Sequence, residues 1–104
     1  MHAPLLPLAD LPPGAIAEAQ RGEDSLILLN LGGRVCAYLN ICPHAGRALN
    51  WAPGRFLYAH GQLVCAAHGA AFQPEDGVCI GGPCRGSALT AVPVAVRDGQ
   101  VWAD

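Results

Sequence analysis

The chain has 104 residues, 52% of them hydrophobic and 13% charged, with 13 Gly, 9 Pro, 5 Cys and 4 His. One domain spanning residues 1–104 fits this length and two do not, because a chain of this size buries only roughly 60–68% of its unfolded surface. The apolar fraction excludes disorder, and a formal charge of −2 excludes the basic footprint of a nucleic-acid or anionic-membrane binder.

In chain order, the N-terminal stretch MHAPLLPLADLPPG has no basic region and is broken by four prolines, so it does not read as a signal peptide. The apolar runs at residues 5–8 and 26–29 are far shorter than the ~20 residues that span a bilayer. A soluble, cytoplasmic protein is the expectation. No long segment carries a helical period. Short β-rich runs punctuated by turn residues point instead to an all-β domain. Residues 25–31 and 34–39 flank Gly32-Gly33, a hairpin signal. Residues 55–58 and 62–66 flank Ala59-His60-Gly61, and residues 91–96 and 100–102 flank Asp98-Gly99. Val92, Val94 and Val96 alternate with Pro93 and Ala95, and the proline marks an edge strand. Residues 42–53 and 67–87, rich in Gly, Pro and Ala, read as two long structured loops. The scaffold is thus a small antiparallel sandwich or barrel, with function expected on those loops.

The cysteines sharpen this. Five is an odd number, and without an export signal a disulfide framework is a poor default, so cysteines beside histidines read as metal ligands or catalytic groups. Two such pairs start the two loops: Cys42-Pro43-His44 and Cys65-Ala66-Ala67-His68. Together they supply two thiolates and two imidazoles, the donor number of a tetrahedral metal or of a two-iron cluster with two ligands per iron.

The surrounding pattern is more specific. CPHAGRAL has the form C-x-H-x-G-x-x-L, and CAAHGAAFQPEDG has the form C-x-x-H-G-x-x-F-x-x-x-x-G, followed by Gly82-Pro83. These linked motifs resemble the Rieske [2Fe–2S] family. The likeness extends to the lead-in PLADLPPG, to ILLNLGGRVCAYLNICPH and to the closing LTAVPVAVRDGQVWAD. The resemblance implies a Rieske-like antiparallel β-sandwich with a small cluster-binding subdomain of two loops, over about residues 41–86. It implies that Cys42 and Cys65 hold one iron and His44 and His68 the other, in one [2Fe–2S] cluster per chain. Replacing two thiolates by neutral imidazoles makes the site about two charges less negative than an all-cysteine one. The potential then rises to roughly −150 to +300 mV, against about −400 mV for plant-type ferredoxins.

The chain departs from the family's high-potential respiratory members, which add a Cys to each loop and place Ser and Tyr hydroxyls near the cluster. Ala67, Ala70 and Phe72 occupy the corresponding positions, and no Cys follows Gly46. Fewer hydrogen bonds to sulfur stabilise the reduced state less, which predicts the low end of the range. Twenty residues separate His44 from Cys65, more than is usual, and the excess falls in an arm at residues 50–60.

Other readings stand beside this one. A Cys₂His₂ zinc site, structural or regulatory, uses the same donors without needing the glycines after both histidines. Cys79 and Cys84 either form a disulfide across the Gly-Pro loop or pack as partly buried thiols, in the manner of small hydrophobes. Cys36 reads as core, His60 as a turn residue, His2 as a free terminus, and Trp51 and Trp102 as packing residues. Pro43 and Pro83 stiffen the loops.

Beyond the four ligands only His2 and His60 remain, so no mononuclear iron site of two His and a carboxylate is available, and there is no dinucleotide fingerprint. The resemblance therefore implies a non-catalytic, monomeric electron carrier. Its transient partners would be a reductase and a terminal oxygenase, docking on an apolar rim of Ala45, Ala70 and Pro83. A small subunit of a nitrite reductase-like complex is the alternative partner class, and redox sensing uses the same site.

Overall fold

A computed structural model describes residues 4–42, 48–50, 52, 55–59, 61–65, 69–82 and 86–103. The described chain is built from antiparallel strands and one 3₁₀ turn at Leu8–Asp10. Strands β1 (Pro4–Pro7), β9 (Val94–Arg97) and β10 (Gln100–Ala103) form one sheet in the order β1-β10-β9. Strands β2 (Ile16–Arg21), β3 (Asp24–Leu31) and β4 (Arg34–Leu39) form a second. Four short strands make the third: β5 (Leu57–Ala59), β6 (Gln62–Val64), β7 (Ala71–Phe72) and β8 (Cys79–Gly81).

The β2-β3-β4 sheet is the middle layer, and β3 explains why. Its residues Leu26 to Asn30 are all buried, so the run is apolar on both faces instead of alternating. Ile27 and Leu29 enter one core with Leu63, Phe72, Cys79, Cys42 and Cys65. Leu26 and Leu28 enter the other with Leu11, Val92 and Val101. Successive side chains on a strand point to opposite faces, so one strand serves two cores. Each fully buried leucine contributes roughly 1.5–3 kcal/mol. The first core ties the middle sheet to the β5–β8 subdomain, and the second ties it to β1, β9 and β10.

The all-β sandwich with a separate loop subdomain is what the sequence predicts. The Gly32-Gly33 and Asp98-Gly99 hairpins close β3 to β4 and β9 to β10 in the expected registers, Leu31↔Arg34 and Arg97↔Gln100. The middle hairpin is tighter than predicted, since Ala59 pairs with Gln62. Two strands ahead of the first hairpin were not foreseen. IAEAQR forms β2 by pairing along β3 from Ile16↔Leu29 to Arg21↔Asp24, and PLLP forms β1 on an outer edge, the place in a sheet where proline is tolerated. Residues 67–87 are not all loop, for they contain β7 and β8. Pro93 does precede an edge strand, β9, but the valine alternation fails because Val96 is exposed while Val92 is buried. Cys36 is half-buried against the first core rather than inside it. Trp102 is half-buried, its Nε1 donating to Arg97 O at 3.2 Å beneath the Arg97 guanidinium. Trp51, His2, His60, Pro43 and Pro83 lie outside the described residues.

Tyr38 on β4 joins the middle sheet to the subdomain, its buried hydroxyl donating to Pro74 O at 2.8 Å. Burial, reinforced by the negative charge of Cys36 and Asp76 when ionised, pushes its pKa from 10 up to about 12. A folded-state value above the unfolded one means the native state holds the proton more tightly. Its stabilisation is therefore complete below pH 10 and disappears as pH rises to about 12. At ~1.4 kcal/mol per unit the loss is on the order of 2–3 kcal/mol. The chain has no lysine to titrate in the same window. Urea midpoints measured from pH 9 to 11.5 are expected to fall more steeply for the parent than for Tyr38→Phe; parallel curves would refute the assignment.

Candidate metal centre

The first cysteine loop leaves the end of β4 through a sharp corner. Ile41 N–H donates to Leu39 O at 2.8 Å, a turn centred on Asn40. Immediately after it Ile41 is 49% exposed while Cys42 is wholly buried, so the corner turns one side chain out and the next in. Asn40 is itself buried, and its amide is fully engaged on the donor side. Its Nδ2 donates to Asn50 Oδ1 at 2.8 Å and to Ser25 Oγ at 3.2 Å, while its Oδ1 accepts from Leu49 N–H at 2.8 Å. One side chain thus holds residue 40 against residues 49 and 50, closing the base of the loop that contains Cys42.

The second loop starts at the end of β6. Cys65 N–H donates to Ala70 O at 2.8 Å and Gly69 N–H donates to Cys65 O at 2.9 Å. These two bonds tie Gly69 and Ala70 back to Cys65. Gly69 takes φ +74°, a conformation that carries almost no cost only for glycine. Ala70 and Phe72 follow, both fully buried. Over this loop lies the end of β8. A Cβ at Gly82 would stand 2.8 Å from Ala70 Cα and 3.2 Å from both Ala70 N and Gly69 O, so only a glycine permits this approach.

The two thiols therefore arrive from separate loops in one buried core, both at 0% exposure. Cys79 is in the same core, with its Sγ donating to Gly81 O at 3.2 Å. Its suggested disulfide partner Cys84 lies outside the described residues, as do His44, His68, Ala45 and Ala67. Ala70 requires a correction. It was expected on an exposed docking rim, but it is sealed beneath Gly82 and offers no surface. Sequence reasoning missed Asn40 and the closeness of Gly82 to the second loop. The only sign of the former was an asparagine placed between a strand and the first cysteine.

A family model described as the Rieske [2Fe–2S] domain matches residues 2–96. The chain belongs to the Rieske [2Fe–2S] family. A Rieske domain carries one [2Fe–2S] cluster, and the donor chemistry here fits: two soft thiols, buried from water, on two loops whose backbones are pinned at their bases. Among curated proteins the domain is similar to the cytochrome b6-f complex iron-sulfur subunit of Chlorobaculum tepidum, 32% identical over 95 residues. That match covers 91% of this chain and 49% of the relative, so the chain spans about half the relative's length. Among solved structures it resembles the ferredoxin of carbazole 1,9a-dioxygenase from Nocardioides aromaticivorans IC177, with TM-score 0.79 and 22% identity, covering 99% of this chain and 96% of that one. It also resembles part of the terminal oxygenase of carbazole 1,9a-dioxygenase from Novosphingobium sp. KA1, with TM-score 0.81 and 21% identity, covering 98% of this chain and 29% of that one. At such identities the structures establish the Rieske fold alone. No helix among the described residues is long and apolar enough to cross a membrane.

Proposed function

We propose that this Rieske domain is a single-electron carrier rather than a catalyst, with Cys42 and Cys65 holding one iron of the cluster and His44 and His68 the other. The observation that carries the reading is the burial of both thiols, from two separate loops, in one core. Buried thiols in a family that binds a two-iron cluster have an evident use. The cluster, when bound, takes up and gives back one electron. What the chain's residues contribute is a fixed shell. The bonds that tie Gly69 and Ala70 to Cys65, with the Gly82 contact, hold the second loop, so little reorganisation accompanies the change in charge.

The partner class that fits best is a reductase on one side and a terminal oxygenase on the other. Support comes from the structural likeness to the ferredoxin of a carbazole dioxygenase. It comes also from Ala70 and Phe72, which bring no hydroxyl to the loop. Ile41, exposed beside Cys42, is an apolar contact for such a transient interface, and weak electron-transfer interfaces are small. The identity to a cytochrome b6-f iron-sulfur subunit favours a second reading, a subunit of a larger electron-transfer complex.

Potentiometry with EPR on the purified protein separates these. The expected result is a red-brown oxidised form, a reduced signal of average g near ~1.9, and a midpoint close to the lower limit of about −150 mV. A midpoint towards about +300 mV would transfer the assignment to the second reading. A colourless protein holding stoichiometric zinc would remove both.

A further inference from the structure

We propose that Asn40 is a positioning residue for the cluster: it clips the first loop at its base and so fixes where Cys42 presents its thiolate. The inference rests on Cys42 being a ligand. The clip is geometrically determined. Ser25 Oγ has one proton and gives it to Glu18 Oε2 at 2.7 Å, so it must accept from Asn40 Nδ2. Leu49 N–H needs an acceptor and finds Asn40 Oδ1 at 2.8 Å. Asn50 turns its oxygen to Asn40 because its own Nδ2 is committed to Ala52 O at 2.9 Å. Every neighbour thus dictates the same orientation of the Asn40 amide, and no other side chain offers two donors and an acceptor in that space. The main chain is fixed as well, Asn40 N–H donating to Ser25 O at 2.9 Å. Cys42 stands two residues beyond this anchor, and the next described anchor on its other side is the pair Leu49 and Asn50. Without the clip, the mouth of the loop is released from the sheet and the thiolate loses its fixed approach.

A second buried asparagine provides the control. Asn30 is also buried, at 4% exposure, donates from Nδ2 to Leu11 O at 2.8 Å and accepts from Gly33 N–H at 2.7 Å, at the opposite end of the β3–β4 pair from Asn40. Both Asn→Ala variants leave buried partners unsatisfied and are expected to lower the unfolding midpoint alike. Only Asn40→Ala is expected to alter the cluster. Loss of visible absorbance in the presence of a chelator should be ten- to hundredfold faster than in the parent, the size of effect seen when a group orienting a metal ligand is removed. The reduced g-values and the midpoint potential should shift with it, and Asn30→Ala should leave all three unchanged.

Asn50→Ala removes one acceptor and keeps the rest of the clip, so it should give a smaller acceleration in the same direction. It carries the test if Asn40→Ala does not accumulate folded. Cluster loss no faster in Asn40→Ala, or failing that in Asn50→Ala, than in Asn30→Ala, with parental g-values and potential, would overturn the proposal. Cys42→Ser tests the underlying reading separately. If it leaves the parental cluster intact, the ligand assignment fails; if it destroys the cluster while Asn40→Ala behaves like Asn30→Ala, only the positioning role fails.

Discussion

Gly82→Ala is expected to destabilise the domain by about 2–5 kcal/mol and to release the cluster, while Gly81→Ala, one residue away, stays within about 1 kcal/mol of the parent. The two glycines differ in what a methyl group would meet. At Gly82 the added carbon would lie 2.8 Å from the Cα of Ala70, a backbone atom of the turn that begins at Cys65. Neither that atom nor the Gly69 carbonyl at 3.2 Å is the end of a flexible side chain that could swing away. The φ of +85° adds left-handed strain, roughly 1–2 kcal/mol for any residue with a Cβ. Overpacking against a fixed neighbour adds about 1–3 kcal/mol. At Gly81 the nearest atom would be Ala71 Cβ at 3.8 Å, an ordinary contact. Urea unfolding and the absorbance of the bound cluster measure both consequences. Equal midpoints for the two variants would mean that the β8 end does not press on the second loop.

The elements that could be read from the sequence are those whose cause is local. Gly32-Gly33 and Asp98-Gly99 supply positive φ at tight turns, so their hairpins are written into two residues each. The run SLILLN was also legible as a strand, although its apolarity on both faces is a property of its place between two cores. β2 was not legible because Ala, Glu, Gln and Arg have little strand preference of their own; pairing with β3 makes it a strand. β7 and β8 are two and three residues long, too short for any period to show. The same division runs through the site. Thiols and imidazoles at short spacing announce their chemistry wherever they stand, so Cys42 and Cys65 could be picked out before their burial was known. Asn40 and Gly82 have ordinary identities for a loop boundary. Their roles come from what the folded chain brings against them, Leu49 and Asn50 in one case and Ala70 in the other. The rim assignment of Ala70 failed for that reason too, since nothing local tells an alanine that a glycine will cover it.

His68→Cys is expected to lower the midpoint potential by at least about 100 mV while retaining a coloured two-iron cluster. The argument is one of charge. Substituting a thiolate for a neutral imidazole makes the site one unit more negative in both oxidation states, and an added electron is then less welcome. The lower limit of the mixed-ligand range, about −150 mV, and the all-cysteine value of about −400 mV differ by two such substitutions, so one accounts for roughly half the gap. The sign is fixed by electrostatics, while the size depends on how well water screens the change. A His68→Ala variant tells a ligand from a nearby base: loss of a ligand should cost the cluster itself. A potential and EPR spectrum in His68→Cys that match the parent would remove His68 from the donor set and reopen the question of what completes the second iron.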